Sequence, residues 1–286
     1  MTELVRIESP TGVTAATFAP EANCVCSSLT HEGVELLGQR NGLNAYLAKG
    51  STMGIPLLHP WANRLDTEID SPLVKHDANG LPIHGVLPSA MRWDGEADGA
   101  KLRARLEWDR DELLAVFPHR HRLSLDATVA DESLTLTTTL EALDGEVPVS
   151  FGYHPYFVLD GVPRADWVVG LPPRRHTVLD ERGIPVADGE REERETAPLA
   201  GRTFDDGYDE LAPAAFALAG GGRRIEVEFL EGYPIAQVYA PADQELIAFE
   251  PMTAPVNALV SGDRLGHAAP GRPYRATFQV RCTTSS

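Results

Sequence analysis

The sequence predicts an all-β protein, a large antiparallel β-sandwich or barrel. Three observations predict it: apolar residues alternate with polar ones in several segments, glycines and prolines fall densely between those segments, and helical periodicity is scarce. The chain has 286 residues, of which 25 are glycine and 22 proline, enough to turn many short strands. No strand–helix–strand rhythm runs through it, and no glycine-rich phosphate loop follows a strand. Strand-like sequence of the same kind lies on both sides of the charged residues 186–201, so one domain over residues 1–286 is expected.

The elements follow in chain order. "RDELLAVFPH", from Arg110 to His119, allows one or two helical turns before Pro118 stops them, or a strand end. "RLSLDATVADESLTLTTTLEAL" places Leu123, Leu125, Ala127 and Val129 on one face. The polar "ADES" then turns the chain, and Leu134, Leu136 and Leu140 resume the alternation, which makes a hairpin of half-buried strands. Residues 186–201, "VADGEREERETAPLAG", are densely charged and read as a solvated loop. Ile225, Val227 and Phe229 alternate in the next strand. Leu246, Ile247, Ala248 and Phe249 form an apolar strand with Glu250 at its tip and Pro251 ending it. Tyr274, Ala276, Phe278, Val280 and Cys282 alternate in the last.

Charge narrows the partners. The formal net charge is -17 and the pI about 4.9, which disfavours nucleic acid and anionic membrane surfaces. No run approaches the roughly 18 apolar residues of a membrane span, and "MTELVRIESPTG" lacks the apolar core of a secretory signal. Cys24, Cys26 and Cys282 are odd in number and form no disulfide framework, so reduced thiols in a cytoplasmic protein are expected. Cys24 and Cys26 would share a strand face, but a metal site would need more ligands nearby. His119 and His121 would share one too, again without a third ligand.

Four segments interrupt the alternation with unusual polar residues. "GIPLLHPWANRLD" is stiffened by Pro56, Pro60 and Trp61 and ends in Asn63 and Arg64. Arg64 is either a surface residue or a guanidinium fork suited to sugar hydroxyls or a carboxylate. "LPIHGVLP" sets His84 before Gly85, a glycine that lets the backbone turn or come close to a neighbour. His84 is a strand cap or a ligand contact. "SFGYHPYF" packs His154 between Tyr153 and Tyr156, and Pro155 denies a ladder hydrogen bond there, which makes an edge, a bulge or a strand exit. Glu250, at the tip of a buried strand, is costly unless it is paired or used.

Taken in order, "PLLHPWANRL", "PIHG", "SFGYHPYF" and "FEPMTAPVNAL" resemble the aldose 1-epimerase family, the galactose mutarotases, over most of the chain. The resemblance implies a large β-sandwich of the supersandwich kind. It implies that His154 is the general acid and Glu250 the general base, and that Arg64 and His84 bind sugar oxygens. It places an aspartate that holds sugar hydroxyls in "TFDDGYDEL", matched to Asp205, with Asp206 and Asp209 also open. Aromatics such as Trp61, Tyr153 or Tyr156 could stack on the sugar's C–H face. The surround of His154 is more similar to a divergent bacterial branch than to the galactose enzymes. The implied reaction is exchange of α and β anomers of an aldose by ring opening and closure, with no cofactor and no metal, in a monomer or homodimer. A hexose-6-phosphate 1-epimerase would need a basic pocket, for which Arg92, Arg120 and Arg122 are candidates, and the acidity of the chain argues mildly against it. A β-sandwich could also serve a non-catalytic carbohydrate-binding module, which would not need both His154 and Glu250. It could serve a polysaccharide lyase as well, for which this chain has little room.

Overall fold

A computed structural model describes residues 2–285. The alternating segments resolve into two large antiparallel sheets. The first has nine strands, in the spatial order Glu195–Pro198, Val168–Leu171, Ala215–Gly220, Arg223–Glu231, Tyr274–Thr284, Ser133–Ala142, His121–Ala130, Lys101–Trp108 and Asp94–Asp98. The second has eight strands and carries the site. Its order is Pro185–Glu192, Arg174–Leu179, Phe204–Asp209, Ile235–Ala240, Ile247–Met252, Gly152–Tyr153 and Leu57–Leu58, with Tyr156–Phe157 also pairing Ile247–Met252. A smaller four-stranded sheet lies near the N-terminus.

The expected hairpin forms as His121–Ala130 and Ser133–Ala142, with Ala130 opposite Ser133. Its leucines face inward because a period of two sends every second side chain to the same side. The inner faces of the two large sheets meet in one hydrophobic core running from Ile7 to Cys282. Phe216 stacks on Phe249 at 5.4 Å, and Tyr153 leans on Phe278 at 5.1 Å. The Tyr153 hydroxyl is satisfied by Thr138 Oγ1 at 2.7 Å, so its burial leaves no lone polar group.

Three expectations are corrected. The charged residues 186–201 are largely strand: Pro185–Glu192 pairs with Arg174–Leu179 at the edge of one sheet, and Glu195–Pro198 pairs with Val168–Leu171 at the edge of the other. These edge strands bury neither face fully, so they need no apolar alternation and look like a loop in sequence. Pro251 does not end its strand, which continues to Met252. Cys24 stands just ahead of the strand Val25–His31 with φ 46, not within it beside Cys26. The helical candidate forms a single turn, Asp111–Leu114, and a helix at Gly42–Lys49 was not expected.

Among the described residues no helix is long and apolar enough to cross a membrane, and no group of three His, Cys, Asp or Glu side chains is placed to hold a metal ion.

Candidate active site

The site grows from the strand Ile247–Met252. Glu250 lies opposite Gln237 on the neighbouring strand, and Tyr239 lies opposite Asp205 on the next. On the other side, Gly152 pairs with Met252 and Tyr156 with Ala248. That register leaves His154 opposite Glu250, at the break Pro155 makes between two short strands. Residues opposite one another in an antiparallel pair project to the same face. The face of Asp205, Tyr239, Gln237, Glu250, His154 and Tyr156 is therefore one face, and Val238, Phe249 and Tyr153 go to the core behind it.

Arg64 and His84 arrive from a second direction. Asn63 and His84 both take left-handed φ values, 59 and 64, and the His84 N–H donates to the Asn63 carbonyl at 2.9 Å. Gly85 lets this turn close against the chain: a Cβ there would lie 1.9 Å from the His59 carbonyl oxygen. Arg64 is then fixed by Asp77, Nε to Oδ2 at 2.7 Å, and Asp77 in turn accepts the N–H groups of Asn79 and Leu81.

These elements enclose a cleft of about 190 Å³ whose lining includes Arg64, His84, His154, Asp205 and Glu250. His154 Nε2 lies 3.1 Å from Glu250 Oε1. The Tyr156 hydroxyl is also 3.1 Å from that nitrogen, and the Tyr156 ring stacks on the imidazole at 4.2 Å. His84 and Tyr239 each stand edge-on to His154 at 5.6 Å. Asp205 Oδ1 accepts from Gln237 Nε2 at 2.8 Å.

Burial sets the electrostatics. Glu250 is 2% exposed and His154 5%. Desolvation pushes the Glu250 carboxyl well above its ordinary value, with Asp205 adding to the rise, and pushes His154 well below its own, with His84 and Arg40 adding to the fall. Both shifts disfavour charge on the pair, so burial favours a neutral carboxyl beside a neutral imidazole. His84 is driven down to about 3 by burial and by Lys75, Arg64 and Arg40, so its ring is neutral near pH 7. His154 Nδ1, Glu250 Oε2, His84 Nδ1 and Gln237 Oε1 are buried without a protein partner. Such atoms cost free energy in a folded protein and are concentrated where chemistry needs them.

Of the three aspartates, only Asp205 lines the cleft. Asp206 pairs with His176, and Asp209 is clamped by Arg175 and Arg264. None of Arg92, Arg120 and Arg122 lines it; Arg120 is paired with Asp144, and Arg122 with Glu107 and Glu141. Trp61 and Tyr153 are core residues outside the cleft, whereas Tyr156 lines it. His121 is buried against His59, Nε2 to Nε2 at 2.9 Å, instead of sharing a ligand set with His119. Sequence reasoning missed Arg40, Lys75, Tyr239 and Gln237. Tyr239 and Gln237 carried a period-two signal in "IAQVYA", but Arg40 and Lys75 stand in stretches without one.

Fold and site together define a mutarotase-like β-sandwich protein with a buried histidine–glutamate pair in a polar cleft. The model of the family described as aldose 1-epimerase matches residues 24–281, and the chain belongs to that family. Solved structures share the fold at low sequence identity. A GalM/aldose epimerase homologue from C. elegans aligns over 100% of both chains at 16% identity with a TM-score of 0.81. A Synechocystis protein aligns over 100% of this chain and 97% of its own at 20% identity with a TM-score of 0.79. A galactose 1-epimerase from Lactobacillus acidophilus aligns over 100% of both chains at 14% identity with a TM-score of 0.72. A comparison with curated proteins found no match.

Proposed function

We propose that the protein interconverts the α and β anomers of an aldose, with His154 and Glu250 as the acid–base pair. The observation that carries this reading is the 3.1 Å contact between two buried titratable groups, an imidazole and a carboxyl, in a cleft of sugar dimensions. With the proton on His154, Glu250 takes the hydrogen of the C1 hydroxyl while His154 protonates the ring oxygen, and the C1–O5 bond opens. That step leaves Glu250 protonated and His154 neutral, the state that burial favours. Rotation about C1–C2 presents the other face of the aldehyde. Closure then runs the transfers backwards: His154 recovers its proton as O5 attacks C1, and Glu250 returns its own to the new C1 oxygenate. Both tautomers of the one-proton pair are used, so no outside acid or base is consumed.

Asp205, held by Gln237, offers its second carboxylate oxygen to sugar hydroxyls. Arg64, held by Asp77, offers guanidinium N–H groups to sugar oxygens. His84, neutral and edge-on to His154, supports charge at the ring oxygen. Positioned acids and bases contribute on the order of 10²–10⁴-fold each. Glu250→Gln and His154→Ala are therefore expected to lose at least about 10²-fold in anomer exchange, read by NMR, with unchanged far-UV circular dichroism. Near-wild-type exchange in either variant would remove that residue from the mechanism.

A further inference from the structure

Arg40 and Lys75 line the same cleft and belong to none of the roles above. Neither forms an ion pair with a carboxylate among the described residues. Other basic residues, Lys49 and Lys101 among them, also lack one, so what sets these two apart is their place in the cleft. The acids of the cleft are already engaged: Asp77 by Arg64, Asp205 by Gln237 and Glu250 by His154. Arg40 donates from Nη1 to the hydroxyls of Tyr156 at 3.0 Å and Thr52 at 3.3 Å, which uses one arm of the guanidinium and leaves the others. Lys75 is lowered from its ordinary value by partial burial and by the charge of Arg40. Two like charges on exposed side chains thus line one cleft, and an anion between them would relieve their repulsion.

Their position fits the chemistry. Arg40 is two hydrogen bonds from His154 Nε2, through the Tyr156 hydroxyl. His154 is the group assigned to the ring oxygen. The carbon on the far side of that oxygen from C1 carries the exocyclic carbon of a pyranose. In the orientation proposed for the sugar, a substituent there extends toward Arg40.

We propose that Arg40 and Lys75 receive an anionic group on the exocyclic carbon of the aldose, so that the substrate is a sugar phosphate or a sugar carboxylate in place of a neutral hexose. This rests on the epimerase reading, with its substrate class now specified. The acidity of the chain as a whole does not oppose it, because the local charge at this end of the cleft is positive.

The test measures kcat/KM for anomer exchange of glucose, glucose 6-phosphate and glucuronate, with wild type, Arg40→Gln and Lys75→Gln. The expected result is at least about a tenfold preference of wild type for one of the anionic sugars, with each substitution lowering that preference about tenfold. Whichever anion is preferred identifies the group. Equal or better turnover of glucose, with a preference ratio that the substitutions do not move, would overturn the proposal while leaving the epimerase reading intact. Should no sugar exchange faster than in buffer, the epimerase reading fails and calorimetric titration with inorganic phosphate decides the anion site. Saturable binding lost in the double variant supports it, and absence of binding overturns it.

Discussion

At Gly85 a side chain has nowhere to go. Its φ of +73 lies in the left-handed region, and an added Cβ would meet backbone atoms that cannot swing aside. Gly85→Ala is expected to destabilise the protein on the order of 3 kcal/mol by chemical denaturation, and to displace His84 beside it. Tyr156 makes a different kind of contribution. Its ring supports the His154 imidazole while its hydroxyl reaches Nε2. Tyr156→Phe keeps the ring and removes the hydroxyl. Losing one hydrogen bond to a group that becomes charged is expected to lower exchange about tenfold. It also removes an acceptor for the imidazolium proton, so the acid limb of the pH profile moves to lower pH. The wild-type profile follows from the opposed shifts of the two groups. A second proton adds only below the ordinary histidine range, because His154 is lowered, and the last leaves only above the ordinary carboxylate range, because Glu250 is raised. Activity is expected to be flat across the interval between those two steps and to fall on both sides, measured as kcat/KM against pH.

At the scale of elements, the stretch after Leu57–Leu58 is tied to the strand His121–Ala130 by two buried imidazoles. His121 Nδ1–H donates to the His119 carbonyl at 2.7 Å, so its Nε2 is the acceptor and His59 Nε2–H the donor. That chain of bonds requires the His121 ring to be neutral, and burial without a partner at Nδ1 disfavours charge on His59. Burial lowers His121 to about 4 and holds His59 well below its ordinary value. Unfolded, both bind a proton near 6.5, so their stabilisation is whole above that pH and declines as pH falls toward 4. The melting temperature is expected to drop across this window, and the drop to shrink when both histidines are replaced by leucine. The hairpin from His121 to Ala142 was legible because one face is buried and the other wet. The strands within residues 185–198 were not, because at the edge of each sheet hydrogen bonding alone holds them. Strand continuation through Pro251 was hidden for a related reason. Proline is excluded only where its missing N–H is needed by a neighbouring strand, and a sequence does not say which positions those are. The helix Gly42–Lys49 buries only Tyr46 fully, too little for a clear period.

For the whole molecule, three free thiols lie inside a core continuous between the sheets. Burial raises Cys24 to about 12 and Cys26 well above its ordinary value, while Cys282 is also raised. The native protein is expected to be inert to a thiol reagent at pH 7–8 and to react at three cysteines once denatured. A rapidly reacting thiol in the native state would show that the core opens. The sequence by itself determined the antiparallel all-β architecture, since the period of two is a local property written into each strand. It also set out His154, Glu250, Arg64 and His84 as polar interruptions of that pattern, and narrowed the aspartate to three. Only the tertiary structure brought Asp205 alone of the three to the cleft, put His154 opposite Glu250, and carried Arg40 and Lys75 in beside them. The physical reason is that convergence depends on register between strands and on the packing of the two sheets. Those are set by contacts between residues far apart in the chain, where local periodicity has no reach.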